Sequence, residues 1–272
     1  MRRPSVGRDH LEFDLGSLAG VSDRGLRHPR NEDAMAVSLQ RTRSGPVALA
    51  VVCDGVSTAG RPDEASLAAA NAAVRALAAA VRASTASDEA LVAGTAAARR
   101  AVADVADRSA DLPATTIVSA VVTAVAITVC WVGDSRAYWL PAEPGSAELD
   151  VAHARLLTRD DSVAEELIAV GALTEAEAAV SPHAHVLTRW LGPSASNAEP
   201  HTARFEPRGP GILLLCSDGL WNYQPGAAGL AAQAAPGALT SLSRTAAGLL
   251  EFAIGAGGED NITIVLAAFP PS

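Results

Sequence analysis

Lysine is absent, since all 21 Lys+Arg positions are arginine. That excludes Schiff-base lysine chemistry and the lysine-bearing P-loop. Cysteine is scarce. Cys53, Cys130 and Cys216 lie far apart inside apolar runs, with no Cys-x-x-Cys or Cys/His spacing. This rules out a thiolate zinc site or a disulfide framework and reads as reduced core thiols of a cytoplasmic protein. Aromatic residues make up only 4%, and Trp131, Trp139, Trp190 and Trp221 read as core or flap packing because each has much area to bury. Positive charge is in deficit, and a net charge of -9 argues against nucleic acid and an anionic membrane as partners. No apolar run follows Met1-Arg2-Arg3-Pro4, so no signal peptide is expected. Leu112 to Gly133 carries no charge and is long enough to span a bilayer. Its Thr, Val and Ile content and its exit into Gly133-Asp134-Ser135-Arg136 favour two strands instead.

What is present is a repeated pattern of apolar strand and terminal carboxylate. Val47 to Cys53 is wholly apolar and stops on Asp54-Gly55, and Gly211 to Cys216 runs through Ser217 into Asp218-Gly219. Such runs read as strands buried on both faces. A carboxylate at each end is held at the rim of a core, where burying it alone is costly. Two more apolar strands meet Asp134 and Asp260. Four carboxylates so placed suggest a site for a hard cation.

The 272 residues suffice for one large core. Residues 1–10 read as a polar arm and 11–272 as one domain. Leu11 to Val21 reads as a strand leading into a turn-rich loop, Ser22 to Asp33, which crowds Arg24, Arg27, Arg30, His28, Glu32 and Asp33. On charge density alone that loop is a solvated one. Ala34–Leu39 and Pro46–Asp54 form a strand pair. Helices from Gly60 to about Ala83 and from Ser87 to about Arg108 form an antiparallel pair on a sheet. Val151–Thr158 is a strand, and capping boxes at Ser162/Glu165 and Thr174/Glu177, separated by Gly171, mark two short flap helices over 160–190. His183 and His185 belong to the flap surface, and Arg189 braces the flap against an acid. Asn197–Pro207, Gly211–Ser217 and Asn261–Phe269 are strands, and 225–255 is helical with breaks at Pro236 and Gly237. The class is α+β.

Seven motifs occur in order: Ser22-Asp23-Arg24-Gly25 with Asn31-Glu32-Asp33, Asp54-Gly55, Thr115-Thr116, Gly133-Asp134-Ser135-Arg136, Leu187-Thr188-Arg189 with Leu191-Gly192, Ser217-Asp218-Gly219-Leu220-Trp221, and Asp260-Asn261-Ile262-Thr263. Together they resemble the metal-dependent protein Ser/Thr phosphatases of type 2C. The resemblance implies a four-layer α-β-β-α sandwich, two antiparallel sheets flanked by helix pairs, with the metal site at one end. It implies that Asp54 bridges two Mn2+ or Mg2+ ions, that Asp218 and Asp260 complete the first ion's ligands, and that the Gly55 carbonyl and Glu32 serve the second. Asp33 would hold metal-bound waters, and Asp134 with Asp218 a weaker third ion. A bridging water of lowered pKa would then attack phosphoserine or phosphothreonine in line, with no nucleophilic side chain. Ser217 lacks a matched His/Asp pair and reads as no nucleophile.

Three positions depart from the pattern. His28 stands where an arginine usually meets the phosphate, with Arg27 and Arg30 beside it as alternatives. Val56-Ser57-Thr58-Ala59 replaces a glycine-rich continuation, and Val56 cannot act as a general acid. Asp161 stands where Thr-x-Asp-His-Ser has histidine. The expected protein is a monomeric cytoplasmic phosphatase opposing a Ser/Thr kinase; the alternative is a metal-binding pseudophosphatase that holds phosphoprotein without turnover.

Overall fold

The computed structural model describes residues 9–106, 112–179, 181, 186–193, 195, 199–235 and 237–272. Most of the N-terminal arm, His183, His185, the start of the 197–207 strand and Pro236 therefore lie outside the described residues. The elements are, in chain order, β1 (His10–Asp14), β2 (Leu18–Asp23), β3 (Ala34–Thr42), β4 (Gly45–Cys53), α1 (Pro62–Arg82), α2 (Ser87–Ala106), β5 (Ile117–Val122), β6 (Ile127–Val132) and β7 (Arg136–Pro141). They continue as β8 (Arg155–Leu156), α3 (Val163–Ala169), α4 (Glu175–Ala179), β9 (His201–Phe205), β10 (Gly211–Cys216), α5 (Asp218–Trp221), α6 (Ala227–Ala234), α7 (Leu242–Ala256) and β11 (Ile262–Phe269).

Two sheets form, in strand order β1-β2-β11-β10-β7-β8 and β3-β4-β5-β6-β9, and all their pairings are antiparallel. The continuous apolar runs are explained by what lies on either side. Along β4, Leu49, Val51 and Cys53 face α1 and α2, while Ala48, Ala50 and Val52 face the other sheet. Along β10, Ile212, Leu214 and Cys216 face α6 and α7, while Leu213 and Leu215 meet β4 and β5 in the middle. Three apolar layers thus separate four structural ones, giving the expected α-β-β-α sandwich. Helix α1 is long and apolar enough to cross a membrane, but Ala65, Ala69, Ala70, Ala73 and Leu77 are buried where it packs on β3, β4 and α2. Its small side chains let it lie close, as its alanine content requires.

Leu112–Gly133 is two strands, β5 and β6, as expected. The reading of Leu11 to Val21 as one strand is corrected: the chain reverses at Gly16, whose φ is +77 and whose N–H donates to Asp14 Oδ1 at 2.8 Å. That makes β1 and β2 a hairpin, and β1 begins at His10, inside the expected arm. Val151–Thr158 is also corrected. Val151–His153 is a 3-10 turn and only Arg155–Leu156 pairs, against β7. The flap helices are present. Thr174 and Glu177 cap each other reciprocally, whereas the Ser162 box is half made because the Glu165 carboxylate takes Arg159 instead.

Candidate metal and phosphate site

Five strand ends deliver the acids to one rim. Asp54 leaves β4, Asp134 follows β6, Asp218 opens α5 directly after β10, Asp260 precedes β11, and Glu32-Asp33 lead into β3. The backbone of Asp54 is fixed by two threonines: its N–H donates to Thr116 Oγ1 at 3.2 Å, and its carbonyl accepts from Thr115 Oγ1 and from the Thr116 N–H, each at 2.8 Å. Thr116 Oγ1 also lies 2.7 Å from Ser135 Oγ, tying Asp54 to the loop that carries Asp134.

The acids sense one another. Burial, then repulsion from Asp33, Asp218, Asp134 and Asp260, raises the Asp54 pKa well above the carboxylate range. Burial and Asp218 do the same to Asp134. Asp33 is raised to about 7, chiefly by burial, with a Ser217 hydrogen bond opposing and Asp218 and Asp260 adding. Asp218 is raised to about 7 by burial and then by Asp260. Among the described residues no three His, Cys, Asp or Glu side chains close into one ligand sphere. The donor chemistry nevertheless fits hard divalent cations. The set is all oxygen, and its mutual repulsion is what such ions offset.

Behind the acids is a hydrogen-bonded frame whose bracing work sequence reading did not assign. Asn261, buried, accepts the Glu32 N–H through Oδ1 at 2.7 Å and donates through Nδ2 to the carbonyls of Arg24 and Arg30 at 2.8 and 3.1 Å. Ser217 Oγ donates to Asp33 Oδ2 at 2.7 Å and accepts the Thr263 N–H at 3.0 Å. It is a brace, in keeping with its reading as no nucleophile. Arg136 forks onto Asp160 at 2.7 to 3.2 Å and stacks 3.7 Å from the Trp221 ring, while Trp221 Nε1 donates to the Asp134 carbonyl at 2.9 Å. Asn261, Ser217, Arg136 and Trp221 lie inside the seven motifs, whereas Asp160 lies outside them.

The cationic loop is less uniform than its charge suggested. His28 Nε2 lies 3.1 Å from Asp260 Oδ1, directly on the rim. Arg27 is exposed and pairs with Glu259 at 2.5 Å. Arg30 reaches Glu32 Oε1 at 3.1 Å and approaches Asp63 at 3.7 Å. Glu32 Oε2 accepts from Ser57 at 2.7 Å, so both oxygens of this acid have protein partners. Gly55 touches the same place: a Cβ there would come within 2.6 Å of the Glu32 carbonyl oxygen, so only glycine fits. Gly25, with φ +71, presses likewise on the Asp260 carbonyl oxygen.

Comparison with known proteins points one way. Residues 25–156 match the family model described as protein phosphatase 2C. The serine/threonine phosphatase Stp of Listeria innocua is 34% identical over 152 residues, covering 56% of this chain and 55% of the relative. The alignment thus spans about half the length of that curated relative. The crystal structure of serine/threonine phosphatase Stp1 from Staphylococcus aureus superposes with a TM-score of 0.74 at 23% identity, over 95% of this chain and 96% of that one, a likeness of fold. The catalytic domain of the serine/threonine protein phosphatase PstP, solved in complex with two manganese ions, gives 0.66 at 25% identity over 93% and 97%. The seven ordered motifs, the four-layer fold and these matches agree: residues 25–156 are similar to protein phosphatase 2C, and the chain as a whole shares the fold of solved serine/threonine phosphatases.

Proposed function

We propose that this chain hydrolyses phosphoserine and phosphothreonine on proteins with two divalent cations, manganese or magnesium. Asp54, Asp218 and Asp260 would hold one ion and Asp54, the Gly55 carbonyl and Glu32 the other, with a weaker third at Asp134 and Asp218. The carrying observation is the rim itself, where five strand ends bring Asp33, Asp54, Asp134, Asp218 and Asp260 together and where burial, then repulsion among these acids, raises the pKa of Asp33, Asp54, Asp134 and Asp218. Bound there, the ions supply a water of lowered pKa and neutralise charge on the phosphoryl group.

The protein's own groups do the rest. Thr115 and Thr116 hold Asp54 at a fixed depth, and Ser217 holds Asp33 as an acceptor for water at the rim. If an ion replaced Arg30 at Glu32, the Arg30 guanidinium, with Asp63 still beside it, would turn toward phosphate. His28 is the other phosphate-binding candidate, and Arg27 a third, held by Glu259. A cytoplasmic setting opposite a Ser/Thr kinase, as a monomer, suits the three buried free thiols and the acidic surface. A pseudophosphatase would have no need of so complete an acidic rim.

The test is phosphate release from phosphoserine, phosphothreonine and phosphotyrosine peptides with manganese or with chelator. Release from the first two, abolished by chelator, is expected. No release from any peptide with manganese present contradicts the reading.

A further inference from the structure

Asp161 replaces the histidine of the Thr-x-Asp-His-Ser pattern, and its surroundings show what it does instead. It is buried, at 6% exposure, yet carries four sets of contacts. Its N–H donates to the Gly133 carbonyl at 3.0 Å and its Oδ2 accepts the Gly133 N–H at 3.0 Å. Its carbonyl accepts the Thr188 N–H at 2.8 Å, at the far end of the flap. Its Oδ1 lies 2.9 Å from His201 Nε2 on β9 and 3.6 Å from Arg189 Nε. The His201 ring is stacked on Trp131 at 5.1 Å, and Trp131 Nε1 donates to the Arg159 carbonyl at 2.7 Å. Where the pattern has an imidazole at 161, this chain has a carboxylate there and an imidazole beside it, from His201 of β9.

The Gly133 end of this cluster is the consequential one. Gly133 has φ +106, a conformation side-chain-bearing residues rarely adopt, and a Cβ would lie 2.7 Å from the Thr116 side chain. Glycine has no intrinsic preference that would hold such a turn. The two bonds from Asp161 hold it on one side, and the next residue, Asp134, is held on the other by Trp221 at its carbonyl. Rotating the Gly133 peptide would swing the Asp134 carboxylate.

We propose that Asp161 is a positioning residue that locks the flap base and β9 to the Gly133–Asp134 turn and so sets the affinity of the cation held by Asp134. This rests on the metal reading given above. Partners behind a ligand change metal affinity by roughly 10- to 100-fold when removed. Arg189 acts in the same cluster as a brace, not as a phosphate contact.

The test is manganese binding by calorimetry to the full chain, with circular dichroism as the check on folding. The variants are Asp161→Ala, Asp161→Asn, and the exchanged pair Asp161→His with His201→Asp. In Asp161→Ala the weakest manganese step should weaken about tenfold while the tighter steps stay unchanged. Asp161→Asn, which keeps an acceptor for the Gly133 N–H, should lose less, and the exchanged pair should recover part of the loss. If every variant binds all its manganese as the wild type does, or all steps weaken together, the proposal is overturned. A wild type that binds manganese but releases no phosphate counts against the phosphatase reading and leaves this comparison decisive. A wild type that binds no manganese overturns both.

Discussion

The side chain of Asn261 holds the loop that carries Glu32: Oδ1 takes the Glu32 amide proton at 2.7 Å while Nδ2 donates to the carbonyls of Arg24 and Arg30. One buried amide thereby sets the spacing between the acids before β3 and the acid before β11. Asn261→Ala leaves three backbone groups short of a partner, each worth about 1–3 kcal/mol where water cannot replace it. Thermal melting should show a destabilised fold and kinetics a lower kcat. Unchanged melting would mean that the loop holds itself.

Asp134→Ala should remove the weakest manganese site and reduce turnover while two ions remain bound, counted by metal analysis. Loss of all bound metal in that variant would assign Asp134 to the primary pair.

Phosphate contact is tested by His28→Ala, Arg27→Ala and Arg30→Ala. His28 already lies on Asp260, so its removal should raise KM for a phosphopeptide most, by about tenfold for one lost charge-assisted bond. Arg27→Ala should do least, since its guanidinium is held at Glu259. If His28→Ala changes nothing and Arg30→Ala raises KM, the contact belongs to Arg30.

Stability should fall as pH rises in the metal-free fold and lose that dependence when metal is bound. Asp33 and Asp218, raised to about 7 in the metal-free fold, bind protons there that the unfolded chain has already lost. Native protons in excess mean that stability falls as pH rises, here between about pH 4 and pH 7. Metal ions require the deprotonated acids and so cancel the trend. His10, raised by its hydrogen bond to Asp23, loses stabilisation in the same direction but is none of the expected ligands, so it drops out of the difference. The rise in melting temperature on adding manganese should therefore grow with pH across this window. A rise independent of pH would contradict it.

Much of this was legible in the sequence, for a physical reason. Val47 to Cys53 and Gly211 to Cys216 are apolar at every position because apolar layers cover both faces, and each leads to an acid of the rim. What escaped lies at edges or depends on distant partners. Leu11 and Leu15 carry an apolar alternation past Gly16 although both are exposed, so periodicity hid the hairpin. The four residues of α5 are too few to show a helical period, and β7 was not read as a strand of its own. The work of Asn261 on Glu32, or of Ser217 on Asp33, spans 229 and 184 residues of chain, and no local pattern encodes it. The grip of Arg30 and Ser57 on Glu32 is likewise a tertiary fact.

Turnover by Asp218→Asn tests the metal-centred account most directly. The substitution keeps size and shape but removes the charge that the rim contributes at the head of α5. With saturating manganese and an unchanged circular dichroism spectrum, kcat for a phosphothreonine peptide should fall on the order of a thousandfold, the loss of several kcal/mol of transition-state stabilisation. A kcat close to that of the wild type would contradict the account.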